Sequence, residues 1–400
     1  MTVRSVFVFF IILKSVNEII GDCNLSLKND FGDPSPVYVK SGKFLAPNAT
    51  TGDILVRRSE TLFVGCPGKN RFVVLSNHTT DLDVVKVQCI SGTIFHAGRW
   101  VGEFKQIKCN ASPWFTVEAT NYSCYDGHKI YRIGYRVADN FYTLYEACFD
   151  EGVLRTVYVQ HELTPEAKYH QSGGRRPSFI DTGVFGKVRM ANIYALKNQR
   201  AKINDAVGDK MDQQYITKKQ FLTRGHLAPR ADFALRSHQR ASFHYINAAP
   251  QWMRGNAGDW AALEDALRRR VVSRGRKVTV YTGTHGVCTL ADAFGVEHDL
   301  YLHADENNNR IIPVPLYFYK VVYDSEEKTA VAFVTINSSY YNITMIDELT
   351  FCSDICDGNQ NYSWLRWRSN DGTHSFCCDY NEFIKEIDHL PELDIKGRFY

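Results

Sequence analysis

Hydrophobic and polar residues alternate in short runs through the first part of the chain, from about residue 22 to residue 125. Examples are Ile54-Leu-Val56, Arg71-Phe-Val-Val-Leu75 and Asp83-Val-Val-Lys-Val-Gln88, which are separated by Gly, Pro and Asn. A period of two is typical of strands with one buried face, and no long helical period appears. The pattern therefore predicts a small all-β module over residues 22–125, with Trp100 and Trp114 in its core.

The pattern changes after residue 126, where longer apolar runs predict the strands of a larger sheet. These runs cover residues 131–137, 154–160, 277–283, 313–322 and 328–334. One helix is predicted between them, because apolar residues recur at helical spacing at Trp260, Leu263, Leu267 and Val271. Gly275 is a natural end for this helix. Residues 126–400 are thus predicted to form an α+β domain with a central antiparallel sheet.

The N-terminus has the pattern of a secretory signal. Arg4 precedes the apolar run Val6-Phe-Val-Phe-Phe-Ile-Ile-Leu13, which is too short to span a bilayer. We expect a signal peptide over residues 1–21 and a secreted, extracellular protein. No later segment is long and apolar enough to cross a membrane. Eight Asn-x-Ser/Thr sequons support secretion, at Asn24, Asn48, Asn77, Asn110, Asn121, Asn337, Asn342 and Asn361.

The eleven cysteines favour disulfide bonds, because secreted proteins fold in an oxidising compartment. Six lie in the first 150 residues, at Cys23, Cys66, Cys89, Cys109, Cys124 and Cys148. The other five, which include Cys288, leave one thiol unpaired or in a bridge between domains. A zinc cluster at Cys352, Cys356 and the Cys377-Cys378 pair is the disfavoured alternative, since adjacent cysteines cannot easily face one metal ion. Connectivity stays open.

Charge is distributed unevenly along the chain. The formal net charge of +3 does not by itself argue for a polyanionic partner, and 44% apolar with 23% charged residues is typical of a globular protein. Residues 186–240, however, contain twelve Lys or Arg against four Asp, and a second basic cluster covers residues 268–277. Such runs are usually solvated surface, but two of them around one histidine motif favour a groove for a polyanion. The acidic segment from Asp379 onward is predicted to lie on the surface.

Two short segments contain the candidate chemistry, Phe221-Leu-Thr-Arg-Gly-His-Leu-Ala-Pro-Arg-Ala-Asp-Phe233 and the predicted helix that follows Asn256. His226 is the best candidate for activating water, because an imidazole titrates near neutral pH. The oxygen of Asn256 can bind Mg²⁺, an ion that keeps most of its waters. The ordinary alternatives are a structural histidine and an Asn that caps a helix.

Three further side chains complete this set. Glu264, two turns after Asn256, can orient the waters around the ion, and its ordinary alternative is a surface salt bridge with Arg268. Arg224 and Arg268 can bind phosphate oxygens through their guanidinium groups. These residue types are the ones needed to hydrolyse a phosphodiester with one metal ion.

These motifs identify a resemblance to the DNA/RNA non-specific endonucleases of the ββα-metal (His-Me finger) superfamily, particularly their secreted arthropod branch. The resemblance covers roughly residues 126–380, and it depends on Thr223-Arg-Gly-His226, on Asn247-Ala-Ala-Pro-Gln251 and on the segment from Asn256 to Arg268. It implies a ββα-metal nuclease domain that lies C-terminal to a small disulfide-rich β module. It also implies an Mg²⁺-dependent enzyme, with Mn²⁺ as a substitute, that cuts DNA and often RNA to leave 5′-phosphate ends.

The resemblance also implies roles for individual residues. His226 matches the general base, Asn256 the metal ligand and Glu264 the residue that organises metal-bound water. The phosphate-binding arginines match Arg224 and Arg268, and the supporting and substrate-contacting positions match Asn247, Gln251 and, more loosely, Arg189.

Thr223 departs from the family pattern, since many members have Asp there, and a hydroxyl cannot supply the same charge. A secreted nucleic-acid-binding protein with little turnover is therefore the alternative hypothesis, and a structural glycoprotein is a weaker one. Strand preference, biological role and oligomeric state stay open.

Overall fold

A computed structural model describes residues 21–173, 176–368 and 373–400 of the chain. Apart from Gly21, the predicted signal peptide lies outside the described residues. Within them, no helix is both long and apolar enough to cross a membrane.

The N-terminal module consists of short antiparallel strands, as the alternation of its residues predicts. They are β1 (Cys23–Ser26), β2 (Val37–Lys40), β3 (Lys43–Phe44), β4 (Asp53–Val56), β5 (Thr61–Gly65), β6 (Val73–Leu75), β7 (His78–Thr79), β8 (Val84–Ser91), β9 (Ile94–Ala97), β10 (Trp100–Glu103) and β11 (Ile107–Cys109). They form a six-stranded sheet in the order β10-β9-β8-β5-β2-β3, a three-stranded sheet β11-β6-β7 and the pair β1-β4.

The module has its own core, which includes the buried rings of Tyr38, Phe95 and Phe104. Two disulfides, Cys23–Cys89 and Cys66–Cys109, cross-link it internally. Trp100 packs against this core, but the prediction for Trp114 is wrong. Its ring is 41% exposed, because it covers the guanidinium of Arg71 at the surface.

The remaining strands build one large sheet and three short hairpins. They are β12 (Thr116–Ser123), β13 (Lys129–Val137), β14 (Asn140–Asp150), β15 (Arg155–Leu163), β16 (Leu222–His226), β17 (Ala248–Trp252), β18 (Val278–His285), β19 (Thr289–Ala291), β20 (Glu297–Asp299), β21 (Tyr301–Ala304), β22 (Arg310–Pro313), β23 (Tyr317–Asp324), β24 (Thr329–Ile336), β25 (His374–Cys378) and β26 (Gly397–Arg398).

The large sheet has the order β12-β13-β14-β15-β18-β23-β24-β25, and β26 pairs with β24. All of its pairs are antiparallel except β24 with β26. The predicted central antiparallel sheet is therefore confirmed, and the predicted strands all contribute to it. Strand β12 belongs to this sheet rather than to the module, so a boundary at residue 125 falls after the first strand of the sheet.

Helices are few and mostly short, which makes the fold α+β. The α-helices are α1 (Met190–Ile193), α2 (Leu196–Val207), α3 (Asp212–Tyr215), α4 (Arg236–Ala241), α5 (Met253–Gly255), α6 (Ala261–Arg274), α7 (Ile343–Leu349) and α8 (Tyr380–Glu386). A π-helical turn, Asn256–Trp260, joins α5 to α6. Short 3₁₀ turns lie at Phe104–Gln106, Tyr125–Gly127, Pro165–Lys168, Arg230–Asp232, Tyr245–Asn247 and Gln360–Tyr362.

Helix α6 is the predicted amphipathic helix, and its apolar stripe is buried. Leu263, Leu267 and Val271 lie in the core, and the ring of Trp260 packs edge-on against Phe318 of β23 at 5.7 Å. Gly275 ends the helix in the left-handed conformation with φ of 68°, as its position predicts. The helix is thereby fixed across one face of the large sheet.

The opposite face of the sheet is covered by segments from the C-terminal part of the chain. Disulfides Cys352–Cys378 and Cys356–Cys377 fasten one of these segments to β25. These pairings also account for the sulfur atoms near Asp354 that could have suggested a metal cluster. The prediction of a surface tail is wrong in part, since the side chain of Phe399 is fully buried.

The structure also defines the pairing of the remaining cysteines, which the sequence leaves open. Cys124 and Cys148 form a disulfide within the large sheet, so the first six cysteines pair among themselves. Cys288 is the unpaired thiol, and it is buried.

Candidate active site

The two motifs meet in one ββα unit. Strands β16 and β17 pair antiparallel, with Thr223 opposite Gln251 and His226 opposite Ala248. The chain then passes directly into α5, the π-helical turn and α6. A cleft of about 860 Å³ lies along this unit, and His226, Arg224, Thr223, Asn256 and Glu264 all line it.

His226 is the last residue of β16, and its ring packs against two aromatic rings that also contact each other. The ring centroids of Phe179 and Phe243 lie 4.9 Å and 5.0 Å from it. Burial, together with the charges of Arg176 and Arg230, lowers the pKa of His226 to about 3. Its Nε2 atom is buried without a hydrogen-bond partner among the described residues. At neutral pH the imidazole is therefore uncharged, and one of its ring nitrogens has a free lone pair.

Arg224 presents a cation to the cleft that no carboxylate neutralises within the described part of the chain. Its Nε donates to the hydroxyl of Tyr245 at 3.1 Å. The guanidinium lies over the rings of Tyr194 and Tyr245, at 4.8 Å and 5.6 Å from their centroids. This aromatic cage holds the group in place and leaves donors free for an anion.

Asn256 does not cap the N-terminus of the helical segment that follows it, because the N-cap position is Gly255, so that ordinary alternative is wrong. Its backbone is helical, with φ of −60° and ψ of −45°. Its Nδ2 donates to Oγ1 of Thr223 at 2.8 Å, and this hydroxyl donates to the carbonyl of Gln251 at 2.8 Å. Because the amide nitrogen is engaged, the carboxamide oxygen is the atom left to bind a ligand. Thr223 thus orients Asn256 without contributing a charge.

Glu264 lies two turns further along the helix, on the same cleft. Burial, partly offset by the charges of Lys320 and Arg268, raises the pKa of Glu264 to about 7. The predicted alternative, a salt bridge with Arg268, does not form, since the guanidinium of Arg268 pairs with Asp232 at 2.8 Å and with Asp265 at 2.5 Å. Glu264 therefore keeps its oxygens for other partners.

Arg268 does not line the cleft, whereas Asn256 and Glu264 of the same segment do. Its partner Asp232 also accepts from Nε2 of His161 at 2.9 Å. Burial opposes ionisation of Asp232, but the His161 hydrogen bond and the charges of Arg268 and Lys320 outweigh it and lower the pKa of that carboxyl. Arg268 thereby ties α6 to the loop that follows His226.

Asn247 and Gln251 stabilise the β16–β17 hairpin through buried contacts. The oxygen of Asn247 accepts from the backbone nitrogen of Ala228 at 2.8 Å, and its Nδ2 donates to the carbonyls of Ala228 and Ser242, each at 2.9 Å. The Gln251 side chain packs on Gly225, where a Cβ atom would lie 2.4 Å from its Oε1. Both residues are buried and shape the strand that ends at His226.

Arg189 lies apart from these residues. It is exposed, directly before α1, and it does not line the cleft.

Several residues that line the cleft were not predicted. Arg230, four residues after His226, was part of the motif but received no role, whereas Arg176 and Phe179 belong to no motif. The repeated basic residues around His226 were the available signal for Arg230. For the other two the sequence contains none, because they come from a loop about fifty residues away.

The cleft suits one hard metal ion. The oxygen of Asn256 is a neutral, hard donor, Glu264 lies on the same wall, and the volume leaves room for coordinated waters. Asn256 would be the direct ligand, with Glu264 within reach of the waters.

Comparisons with known proteins agree with this geometry. The model of the DNA/RNA non-specific endonuclease family matches residues 126–382. The chain is 30% identical to a salivary endonuclease of Lutzomyia longipalpis over 97% of this chain and 88% of that protein. It is 23% identical to salivary protein Tsal2A of Glossina morsitans morsitans over 95% of each. A chain of the solved EndoG/EndoGI complex, 20% identical, aligns with 52% of this chain and 78% of its own at a TM-score of 0.30, too low to support an argument. With its ββα unit and its cleft, the chain belongs to the DNA/RNA non-specific endonucleases, a family of metal-dependent nucleases.

Proposed function

We propose that this chain is a secreted, Mg²⁺-dependent endonuclease that hydrolyses DNA, and also RNA, with little sequence preference and leaves 5′-phosphate ends. The observation that carries the proposal is that one cleft is lined by His226, which is neutral, by Arg224, which has no carboxylate partner among the described residues, and by Asn256, whose oxygen is free. These three supply a base, an anion-binding group and a metal ligand to one cleft.

In this mechanism His226 removes a proton from the attacking water. Its Nε2 is buried, so the nitrogen that faces a water in the cleft is Nδ1. Arg224 binds the non-bridging oxygens and balances the charge that develops on phosphorus. Asn256 would hold Mg²⁺ through its carboxamide oxygen, and Glu264 would accept hydrogen bonds from waters bound to the ion. When bound, the ion would supply positive charge that stabilises the leaving 3′ oxygen.

The other predicted residues receive different assignments. Asn247 and Gln251 position the hairpin, and Arg268 positions α6 through Asp232. Arg189, being exposed at the start of α1, is assigned an outer contact with the substrate. Secretion is supported by the apolar N-terminal run, by five disulfides and by salivary relatives.

Plasmid nicking by the purified protein tests this function. We expect wild type to nick supercoiled DNA in Mg²⁺, and EDTA or His226→Ala to abolish nicking. His78→Ala removes an exposed histidine of the module and should retain activity. DNA ligase should reseal the nicks, because it requires a 5′-phosphate. A protein that binds the plasmid but leaves it intact with any divalent ion would instead be the nucleic-acid-binding alternative.

A further inference from the structure

A second cleft, of about 350 Å³, adjoins the catalytic one and is bordered by four arginines. We call it the arginine cleft and define it by Arg176, Arg230, Arg236 and Arg240, and it is also lined by Asp33, Ser35 and Ser112. The four arginines belong to the nuclease domain, whereas Asp33, Ser35 and Ser112 belong to the N-terminal module. The cleft therefore lies where the two parts of the chain meet.

The arginine cleft is continuous with the catalytic cleft. Residues 176–178 and Arg230 line both. Arg230 follows His226 by four residues, and Pro229, between them, lines the catalytic cleft too. A strand bound with its scissile phosphate at His226 would therefore pass these shared residues before it reached Arg236 and Arg240.

The positive charge of this cleft is largely uncompensated. Its single carboxylate, Asp33, pairs with Arg236 at 3.3 Å, and the Asp33 side chain is 69% exposed. Among the described residues, the side chain of Arg230 donates only to the amide oxygen of Gln239, at 3.2 Å and 3.1 Å. For Arg176 and Arg240, the structure as described gives no carboxylate partner. Burial, together with the charges of Arg176 and Arg236, lowers the pKa of Arg230.

Guanidinium groups held close together without counter-ions are suited to bind phosphate. The fork of an arginine matches phosphate oxygens, and an anion between several of them relieves their repulsion. The Nε of Arg236 is a buried donor that has no hydrogen-bond partner among the described residues. Apart from Gln239, the other described residues of the walls are Ser, Pro and Gly, so this part of the structure offers no aromatic platform on which a base could stack.

We propose that the arginine cleft binds the backbone phosphates of the nucleic-acid strand as it leaves the catalytic cleft. The inference rests on the proposed function, since it takes the strand at His226 as its starting point. It gives the N-terminal module a role, because that module forms the far wall of the path. The contacts are to phosphates, so the cleft increases affinity for longer strands without selecting sequence.

Binding by a non-cleaving protein tests the inference apart from catalysis. Fluorescence anisotropy is measured in EDTA with labelled single-stranded 20-mer and 4-mer DNA, on a His226→Ala background. Arg240→Gln should weaken binding of the 20-mer about fivefold or more and of the 4-mer less than twofold. The slope of log Kd against log salt concentration for the 20-mer should fall by roughly 0.7, the value for one phosphate contact on a single strand.

Two further variants separate binding from misfolding. Asp33→Asn removes the one carboxylate and should tighten binding of the 20-mer, a gain that a damaged fold would not produce. Arg99→Gln makes the same charge change as Arg240→Gln at an exposed residue of the module that lines neither cleft, and should leave both affinities unchanged.

The inference is overturned if Arg240→Gln behaves like Arg99→Gln, or if it weakens the 4-mer and the 20-mer equally. It is also overturned if Asp33→Asn weakens binding. Wild-type nicking in Mg²⁺ is assayed in parallel. If the wild-type protein does not nick DNA although Arg240→Gln still weakens binding of the 20-mer more than binding of the 4-mer, the proposed function is wrong. Phosphate binding in the arginine cleft is then still supported.

Discussion

Thr223 shows how one side chain can replace another of different charge. Its hydroxyl accepts from Asn256 and donates to the carbonyl of Gln251, so it links Asn256, the proposed metal ligand, to the neighbouring strand. An Asp at this position could also accept from Asn256, but it would add a negative charge. The orientation of the ligand thus depends on a hydrogen bond that either residue can make.

Replacing Thr223 should therefore change metal affinity more than it changes turnover. We expect Thr223→Val to raise the Mg²⁺ concentration for half-maximal nicking about 3- to 10-fold, the equivalent of one lost hydrogen bond. Thr223→Ser keeps the hydroxyl and should resemble wild type. An unchanged Mg²⁺ requirement in Thr223→Val would show that Asn256 is oriented by something else.

The pH dependence of cleavage should follow Glu264 and not His226. Because the pKa of His226 is lowered to about 3, this base stays unprotonated from pH 5 to 8. The pKa of Glu264 is raised to about 7, so its carboxylate gains a proton as the pH falls through that value. At limiting Mg²⁺ the rate should decline below about pH 7.

Glu264→Gln tests this assignment. The variant should cleave DNA about 10- to 100-fold more slowly, as for other residues that support a metal site. Its rate should no longer decline as the pH falls below about 7. Glu306→Gln, at an exposed ion pair with Lys187, is the matched control and should retain the wild-type profile. If the rate of Glu264→Gln still declined below about pH 7, the decline would belong to the titration of another group.

At the scale of elements, the β16–β17 hairpin depends on a glycine beside His226. No side chain fits at Gly225, because the Gln251 side chain occupies the space. Gly225→Ala should destabilise the fold by about 1–3 kcal/mol and displace His226, so nicking should fall sharply. The double variant Gly225→Ala/Gln251→Gly removes the whole obstructing side chain, including the Gln251 Cβ that would lie 2.7 Å away, and should recover part of the stability. Thermal melts and nicking assays measure both effects, and a double variant no better than the single one would refute this packing argument.

The helix of the ββα unit was predictable because its signals are local, whereas strand β17 and its pairing with β16 were implied only by the family resemblance. The apolar stripe from Trp260 to Val271, and Gly275 after it, depend only on neighbours along one helix. The same holds for the end of β16, which Gly225 and Pro229 mark.

Contacts between distant segments were not predictable. Arg268 pairs with Asp232, which also binds His161, and nothing local announces that network. The acidic tail looked exposed by composition, yet β26 pairs with β24 and buries Phe399. The composition of a segment predicts its average exposure. It does not show which of its few apolar residues packs against another part of the chain.

For the whole molecule, buried neutral histidines should make stability depend on pH. Burial lowers the pKa values of His238, His244 and His389 to about 3. The unfolded chain, with histidine pKa values near 6.5, binds more protons between pH 6.5 and 3, so stability falls as the pH drops through this window. Each residue can contribute up to about 2 kcal/mol of destabilisation at pH 5.

Chemical denaturation at pH 7 and pH 5 checks this expectation. His238→Leu removes a buried ring whose Nε2 has no partner among the described residues, and should reduce the loss of stability between the two pH values by up to about 2 kcal/mol. His78→Leu alters an exposed histidine and should reproduce the wild-type difference. Equal pH dependence in all three proteins would contradict the proposed linkage.

One of the eight sequons should remain unglycosylated. Asn337 is 2% exposed, and its side chain bonds the backbone on either side of Gln251, accepting from Trp252 and donating to Pro250. It also donates to Pro315. Glycopeptide mass spectrometry of the secreted protein should find Asn337 unmodified, in contrast to exposed sites such as Asn77. A glycan on Asn337 would be incompatible with this hairpin.

The five disulfides never cross from the N-terminal module to the nuclease domain. Cys23–Cys89 and Cys66–Cys109 stay in the former, and the other three lie after residue 115. A protease cut in the link near residue 113 would therefore separate two fragments on a non-reducing gel. The same arrangement lets evolution exchange or reshape the module as a unit, while the covalent framework around His226 stays unchanged.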